Sequence, residues 1–232
     1  MIVRGTSAST PSSELPSSEL HESPTDHHAG RFAAGKRPMI VAMAGLPGVG
    51  KSTVARALAT RLGAVVLDKD HIRAGLFPPS QVDYSREQGD FCLDVMYRTA
   101  GWILSRDPSI VVILDGCTYA HAYRISTLRR LAADLGAALR LIECVCDEEI
   151  ALARIDDDRA AGRHPAANRD ATLYRESRSG AEPITSPRLL VDTGRPVRDC
   201  VADCVAYLAG TAGAPARSHV IESGEGHFLY DE

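Results

Sequence analysis

Residues 45–53 read GLPGVGKST, and this stretch constrains the fold more than any other in the chain. It follows an apolar run at 39–44, which predicts a buried strand, and it precedes a helical pattern that ends at Gly63. A glycine-rich turn between a strand and a helix presents backbone N–H groups and a helix N-terminus to an anion. The spacing G-x-x-x-x-G-K-S therefore predicts a nucleoside triphosphate site at this turn.

The motif gives a role to each part of the turn. Lys51 is expected to contact the β- and γ-phosphates, and Ser52 to bind Mg²⁺ through its hydroxyl group. The predicted nucleotide-binding residues of the turn are Gly45, Leu46, Pro47, Gly48, Val49, Gly50, Lys51, Ser52 and Thr53. The motif alone does not separate a kinase from an NTPase.

Apolar runs alternate with helical patterns through the rest of the chain. Further strands are predicted at 64–67, 109–114, 139–145 and 188–192, and helices at 85–106, 121–135, 148–162, 170–179 and 197–209. This alternation predicts an α/β fold in which a mainly parallel sheet is covered by helices on both faces. The helix at 85–106 carries apolar residues such as Phe91 and Leu104, and Trp102 is expected to lie in the core.

Composition limits the class of protein. The chain has 232 residues, 44% of them hydrophobic, which is sufficient for one sizeable domain. Its net charge of −4 gives no overall basic excess to bind a long polyanion. The six cysteines form no CxxC pair and no zinc-finger spacing, and no apolar run reaches the roughly 18 residues that span a bilayer. We therefore expect reduced thiols, no membrane segment and a cytoplasmic location.

The two ends of the chain differ in composition from its middle. Residues 1–37 are rich in Ser, Thr, Pro, Gly and Glu and contain few large apolar side chains. Such a segment cannot bury the surface needed to offset its ordering entropy, so we expect a disordered tail. Its acidic residues and its missing apolar core argue against a transit or signal peptide. Residues 211–232 are expected to form a C-terminal tail, which leaves 38–210 as the domain.

Gly45, Asp68, Asp115 and Cys146 each lie at or just beyond the end of a predicted strand, so four loops should converge on one site. Asp115 ends the apolar strand at 109–114, which fits a carboxylate that orders Mg²⁺. Many buried strands, however, end in aspartate simply as a turn residue.

The stretch DKDHIR at 68–73 adds a second acidic loop. The step from Asp70 to Arg73 places both side chains on one helix face. Asp70 could accept the proton of an attacking hydroxyl group, and Arg73 could hold the acceptor or neutralise the transferred group. The alternative is a capping aspartate that pairs with an arginine. Asp68 stays open between an orienting, a metal-binding and a turn role.

Residues 154–178, named the lid segment below, are rich in arginine. Its arginines are Arg154, Arg159, Arg163, Arg169, Arg175 and Arg178. Breaks at Gly162 and Pro165 predict two helices joined by a loop. Closure of such a unit would bring guanidinium groups to the γ-phosphate and exclude water. The alternative is a solvated helix face whose aspartates at 156–158 pair with the arginines.

The phosphate turn, followed about twenty residues after its lysine by Asp-x-x-Arg, resembles the small P-loop kinases. These include polynucleotide 5′-hydroxyl kinases, relatives of zeta-toxin and chloramphenicol phosphotransferase, gluconate-kinase-like enzymes and many uncharacterised AAA-type predicted kinases. The resemblance covers about residues 38–210. It implies a three-layer P-loop NTPase fold with a parallel five-stranded sheet in the order 2-3-1-4-5 and a helical lid. It also implies ATP with Mg²⁺ as phosphoryl donor and a hydroxyl group as acceptor.

The resemblance also implies roles for side chains outside the turn. It makes Asp70 the general base and Arg73 a residue that binds the acceptor or a phosphate. It favours Arg159 and Arg163 as the lid residues at the γ-phosphate, and Arg154 as a residue that packs on the adenine.

In such kinases the helix that begins after Tyr84, Arg86 and Gln88 forms one wall of the acceptor site. His121 and Tyr119 follow Asp115, and both an acceptor contact and a packing role stay open for them.

We therefore predict an ATP-dependent kinase that transfers the γ-phosphoryl group to a hydroxyl group of a small molecule. A polynucleotide 5′-hydroxyl kinase is the second choice, because the acidic composition disfavours a nucleic acid. A regulatory ATPase without a phosphoryl acceptor is the alternative from another class. A degenerate nucleotide-binding module is disfavoured by the intact Lys51, Ser52 and Asp115, and a GTPase by the lack of an Asn-Lys-x-Asp stretch. The sequence leaves the acceptor and the oligomeric state open.

Overall fold

The structure is a computed structural model that describes residues 37–210 and 218–221. The strands are β1 (Met39–Ala44), β2 (Val65–Asp68), β3 (Val111–Asp115), β4 (Ala138–Val145), β5 (Arg188–Asp192) and β6 (Ser218–Ile221). The helices are α1 (Lys51–Leu62), α2 (Lys69–Leu76), α3 (Arg86–Arg106), α4 (Ala122–Asp134), α5 (Glu148–Ala160), α6 (Ala171–Ser179) and α7 (Val197–Ala209). In this described part of the chain, every helix is too short or too polar to cross a bilayer. The predicted tail at 1–37 and most of that at 211–232 lie outside it.

The strands form one sheet in the order β2-β3-β1-β4-β5-β6. The first five are parallel to their neighbours, which confirms the predicted order 2-3-1-4-5. Met39 pairs with Val111 on one side and with Ala138 on the other, so β1 lies in the centre of the sheet. Strand β6 pairs antiparallel with β5 and was not predicted, because the composition of 211–232 indicated only a tail.

The central strand shows how the sheet is covered on both faces. Val41 and Met43 belong to one apolar cluster with Leu58 of α1. Ile40 belongs to a second cluster, on the opposite face, with Met96 of α3. Ile40, Val41 and Met43 are completely buried, and burying one such side chain stabilises the fold by about 1.5–3 kcal/mol. The alternation of neighbouring residues between two cores confirms the three-layer architecture.

Helix α3 is confirmed as a helix, but Trp102 does not lie on its buried face. Met96 and Leu104 are buried, whereas Phe91 and Trp102 are 53% and 62% exposed. Trp102 was expected in the core. Instead it is exposed, and the guanidinium carbon of Arg106 lies over its ring, 5.1 Å from the ring centroid. The prediction was wrong because α3 carries apolar residues on two faces, and periodicity alone does not indicate which face packs on the sheet.

All six cysteines are free thiols, as expected, and five of them are buried. Burial raises the pKa of the Cys144 thiol well above its usual range. A protonated, buried thiol is a poor nucleophile, so Cys144 packs as a small apolar side chain. It lies on β4 directly beneath the phosphate turn.

Candidate active site

The phosphate turn leaves β1 and enters α1 with its glycines in the left-handed backbone region. A side chain at Gly45 would place its Cβ 2.3 Å from the carbonyl oxygen of Cys144, and one at Gly48 would lie 2.4 Å from the carbonyl oxygen of Ala151. Both positions have positive φ angles, 127° and 81°. Glycine is therefore required there both by space and by backbone conformation. The turn packs down on β4 and α5, and Gly50 is the N-cap of α1, so the N-terminus of the helix begins at the turn.

Half-buried Lys51 and buried Asp115 are two opposite charges beside the turn. The Nζ of Lys51 donates hydrogen bonds to the carbonyl oxygens of Gly45 and Leu46 at 2.8 and 2.7 Å. Burial lowers the pKa of Lys51, and the charge of Asp115 opposes that shift. Burial likewise raises the pKa of Asp115, opposed by a hydrogen bond from Ser52 and by the charge of Lys51. The two charges stabilise each other only in part, so phosphates and a cation would complete their neutralisation.

Asp115 and Ser52 fit the predicted Mg²⁺ site. Asp115 is 1% exposed, and its Oδ1 has no hydrogen-bond partner among the described residues. A buried acceptor without a partner costs about 1–3 kcal/mol, which a cation or its bound water would relieve. In the described part of the chain, no three His, Cys, Asp or Glu side chains form a metal cluster.

The DKDHIR stretch forms the end of β2 and the start of α2. Asp68, and not Asp70, caps the helix, because its Oδ1 accepts from the N–H groups of Asp70 at 2.8 Å and His71 at 3.4 Å. Asp70 pairs instead with Arg73, whose Nη1 lies 2.7 Å from Oδ1. The shared helix face predicted for this pair is confirmed. Arg73 is only 6% exposed.

A cavity of about 950 Å³ runs from the phosphate turn to the starts of α3 and α4. Its volume lies at the upper end of the range for ligand pockets, which suits a nucleotide together with a second small molecule. The predicted site residues on its wall are Pro47, Gly48, Gly50, Lys51, Ser52, Thr53, Asp70, Arg73, Arg154 and Arg163. Gly45, Leu46, Val49 and Asp115 are buried and do not line the cavity.

The lid segment borders this cavity, with partly different arginines from those predicted. Arg163 lines the cavity, and its Nε donates to Asp158 at 3.1 Å. Arg169 also lines it, pairs with Asp158 at 3.4 Å, and interacts electrostatically with Lys51. Arg159 is exposed and does not line the cavity, so its contact with the γ-phosphate stays a prediction. The spacing of the six arginines contained no signal that distinguishes Arg169 from Arg159.

Arg154 joins the phosphate turn to the loop after β5. Its Nη2 donates to the carbonyl oxygen of Thr193 at 2.8 Å, and its Nη1 to the Thr193 hydroxyl group at 3.3 Å. That hydroxyl group in turn donates to the carbonyl oxygen of Val49 at 2.6 Å. Arg154 therefore lies at the nucleotide end of the cavity, where its packing on the adenine stays a prediction.

Arg124 and Asp90 lie at the other end of the cavity and were not recognised from the sequence. The Nε and Nη2 of Arg124 donate to Oδ1 of Asp90 at 3.1 and 2.8 Å, and Arg124 lines the cavity. The sequence contained one signal for Arg124. An arginine in the first turn of a helix is unfavourable with respect to the helix dipole, which suggests another role for its charge. His121 also lines the cavity, whereas Tyr119 is completely buried and has a packing role.

Tyr84 connects α2 to the lid segment. Its ring centroid lies 5.3 Å from the guanidinium carbon of Arg73, and its hydroxyl group accepts a hydrogen bond from the N–H of Ala167 at 2.8 Å. Its φ of 55° is unusual for a tyrosine and indicates a constrained backbone. Arg86 lies on the same cavity wall, whereas Gln88 is buried and does not line the cavity.

Comparisons with known proteins agree with this geometry. Residues 40–183 match the family model AAA_33, described as an AAA domain. No curated protein matches the chain. A presumed kinase from Chloroflexus aurantiacus J-10-fl superposes with a TM-score of 0.61 at 24% identity, covering 76% of this chain and 100% of that one.

Two further solved structures share the fold. The APS kinase of Mycobacterium tuberculosis, in complex with AMPPNP and APS, has a TM-score of 0.56 at 21% identity and covers 75% of this chain and 98% of that one. A gluconokinase from Sinorhizobium meliloti 1021 has a TM-score of 0.56 at 19% identity, with coverages of 75% and 94%. These identities show a common fold, while the family match covers more than half of the chain. The chain therefore belongs to the AAA_33 family of AAA domains and has the P-loop NTPase fold.

Proposed function

We propose that this protein is an ATP-dependent kinase that transfers the γ-phosphoryl group of ATP to a hydroxyl group of a small molecule. The observation that carries the proposal is the single cavity whose wall includes both the phosphate turn and the Asp70–Arg73 pair. An ATPase needs only room for a water molecule beside the γ-phosphate. Here the cavity continues past Asp70 to the starts of α3 and α4, which provides room for an acceptor.

The nucleotide end would bind and polarise the donor. Ser52 and Asp115 would hold Mg²⁺, which when bound would supply positive charge to offset that of the phosphates. Lys51 and the lid arginines Arg163 and Arg169 would offset the charge on the transferred group. Closure of the lid segment would exclude water, which competes with the acceptor.

Asp70 is the proposed general base. Asp70 forms ion pairs with Arg73 at 2.7 Å and with Lys69 at 3.7 Å, both through Oδ1. Within the described residues this leaves Oδ2 to accept the proton of the acceptor hydroxyl group. Arg73 orients the carboxylate through its hydrogen bond to Oδ1, as a base needs for proton transfer at short range.

The comparisons support the class of reaction. Two of the similar structures are an APS kinase and a gluconokinase, and both names indicate small-molecule acceptors. The free thiols agree with the proposed cytoplasmic location, where thiols stay reduced.

The proposal can be tested by incubating the protein with Mg²⁺, γ-³²P-ATP and a panel of small alcohols, with a 5′-hydroxyl oligonucleotide as comparison. We expect label in a small alcohol. Asp70→Asn should lower kcat by about 10²–10⁴-fold, because it removes the base, with an unchanged affinity for Mg·ATP. Asp94→Asn is the matched control, because Asp94 is exposed on α3 and pairs only with Arg98 in the described structure.

Three results would contradict parts of the proposal. Full transfer by Asp70→Asn would remove Asp70 as the base. Label that appears only as free phosphate, with every acceptor, would indicate an ATPase. Label in the oligonucleotide and in no small alcohol would indicate a polynucleotide kinase.

A further inference from the structure

The acceptor end of the cavity has a chemistry that narrows the substrate class. We propose that the acceptor alcohol carries an anionic group, a carboxylate, sulfate or phosphate, and that Arg73 and Arg124 bind this group beside Gly89. The inference rests on the proposed kinase function, because it concerns the acceptor of that same site.

The two guanidinium groups come from different helices and meet at one glycine. Gly89 lies in the first turn of α3 and lines the cavity. A Cβ at this position would lie 3.7 Å from Nη2 of Arg73 and 3.9 Å from Nη2 of Arg124. Because glycine has no side chain, nothing from this position stands between the two guanidinium groups, and an anion in the cavity could approach both.

Both arginines have donors that the protein does not fill. The Nε of Arg73 is buried and has no hydrogen-bond partner in the part of the chain that the structure describes. Arg124 directs Nε and Nη2 to Asp90, while its Nη1 faces the sulfur of Cys117 at 3.9 Å. A thiol is a weak acceptor, so this Nη1 is poorly satisfied. Carboxylate, sulfate and phosphate oxygens are the acceptors that arginine binds best.

The charge of the cavity also favours an anion. Nine lysines and arginines line it against five aspartates and glutamates, although the chain as a whole carries a net charge of −4. Lys51, Arg163 and Arg169 lie at the nucleotide end or in the lid segment, where Mg·ATP would take up their charge. Arg73 and Arg124 lie beyond it, at the acceptor end.

The aspartates that pair with these two arginines do not cancel this attraction. Asp90 is 39% exposed and does not line the cavity, so water screens its charge. Arg124 is more sheltered, at 13% exposed, and faces the cavity. Asp70 contacts Arg73 through Nη1 only, and as the base it loses its negative charge when it accepts the hydroxyl proton. A bound anion would then be the main partner of Arg73.

The rest of this wall is polar. Tyr84, Ser85, Arg86 and His121 line it beside the two arginines, and the apolar residues next to them, Cys117 and Ala120, are small. An apolar acceptor would leave these groups without partners, which costs free energy for each buried donor. A polar, anionic alcohol satisfies them.

Anion binding can be measured separately from catalysis. The protein is first saturated with Mg·AMPPNP, which fills the nucleotide end, and is then titrated with sulfate and with inorganic phosphate by isothermal titration calorimetry. We expect binding by the wild type and an affinity at least about 10-fold lower for Arg124→Gln, because a charge-assisted hydrogen bond is removed. Arg130→Gln is the matched control, since Arg130 is exposed on the same helix and does not line the cavity.

Arg124→Lys is a second variant that keeps the charge but loses the paired donors. It should bind sulfate with intermediate affinity, and it keeps the test decisive if Arg124→Gln does not fold. Absence of anion binding by the AMPPNP-filled wild type, or an affinity that neither Arg124 variant changes, would overturn the inference. Failure of AMPPNP itself to bind would overturn the kinase function and, with it, this inference.

Transfer assays with matched acceptors distinguish the anionic group from the alcohol. Each pair consists of an anionic alcohol and its neutral counterpart, such as a sugar acid with its alditol, or a phosphorylated or sulfated alcohol with its parent. We expect kcat/KM to be at least about 10-fold higher for one anionic member, and Arg124→Gln to raise the acceptor KM while the KM for ATP stays constant. Equal use of neutral and anionic members would overturn the anionic acceptor and leave the kinase function intact.

Discussion

The nucleotide end of the cavity is centred on one continuous stretch of backbone, to which other elements add side chains such as Asp115 and Arg154, whereas the acceptor end is assembled from side chains of separate elements. At the nucleotide end, residues 45–53 fold into a turn in which Gly45 and Gly48 have no space for a Cβ. At the acceptor end, Arg73 and Arg124 come from α2 and α4 and meet only in the folded protein. A backbone cradle tolerates few substitutions, while a pocket of side chains can change its ligand by single replacements. The donor is thus fixed locally, and the acceptor depends on tertiary structure.

The largest effect should come from a substitution that breaks the backbone cradle. Gly48→Ala places a Cβ 2.4 Å from the carbonyl oxygen of Ala151 at a φ of 81°, so the turn must move. The left-handed conformation alone costs about 1–2 kcal/mol, and relief of the overlap adds to this. We expect Mg·ATP affinity to fall by about 100-fold or more, measured by calorimetry.

Gly75→Ala is the control for this substitution. Gly75 lies in α2, and an added Cβ has no atom within 4 Å. Alanine is the better helix former by about 1 kcal/mol, so this variant should keep its Mg·ATP affinity and gain stability. Wild-type affinity in Gly48→Ala would show that the cradle is not rigid.

A smaller effect on Mg·ATP affinity is expected from replacing Asp115, one of the charged side chains at the nucleotide end. Asp115→Asn should remove most of the increase in ATP affinity that Mg²⁺ provides, about 10–100-fold, because a neutral amide is a weaker ligand. Burial raises the pKa of Asp115, so its carboxylate takes up a proton at higher pH than an exposed aspartate. Mg·ATP affinity of the wild type should therefore fall as the pH drops through this raised pKa.

Calorimetry with ATP across a pH series, with and without Mg²⁺, measures both parts of this prediction. The metal-free titrations are the control for the titration of ATP itself. Asp115→Asn should lack the additional pH dependence in the presence of Mg²⁺. An equal pH dependence in the two proteins would exclude Asp115 as the titrating group.

The smallest effect is expected from Gly89→Ala, which should change the kinetics for the acceptor and leave those for ATP unchanged. Gly89→Ala places its Cβ at ordinary van der Waals distance from Arg73 and Arg124, 3.7 and 3.9 Å, so the fold should accept it. The methyl group fills the space proposed for the anion and should raise the acceptor KM by about 10-fold. Steady-state kinetics should show an unchanged KM for ATP. A loss of ATP affinity instead would mean that the two ends are not independent.

Much of the fold could be predicted because its signals are local. Gly63 and Gly136 end helices α1 and α4 where the sequence indicated, and the apolar runs marked the five parallel strands. Strand β6 could not be predicted, because its pairing with β5 depends on backbone groups that only the folded sheet presents. The exposed face of α3 was also missed, since a helix with apolar residues on two faces does not show which one packs.

The candidate site residues also divide into those indicated by local sequence and those that depend on tertiary packing. Lys51 and Ser52 could be proposed from the sequence because a fixed spacing along the chain indicates them. Arg124 and Arg169 were not, because what distinguishes them from exposed arginines such as Arg130 and Arg159 is the direction in which their helices and loops face. That direction is set by tertiary packing, and arginine composition does not contain it.

The contacts of Tyr84 bear on how much ATP would be lost to hydrolysis. Its ring lies against Arg73 at the acceptor end, while its hydroxyl group holds Ala167 of the lid segment. The lid segment cannot swing away without losing this hydrogen bond, and Arg73 cannot shift without disturbing the ring beneath it. Under the proposed function, one side chain would therefore couple the shielding of ATP from water to the position of Arg73. Such a coupling would suppress futile hydrolysis, the loss of ATP to water while no acceptor is bound.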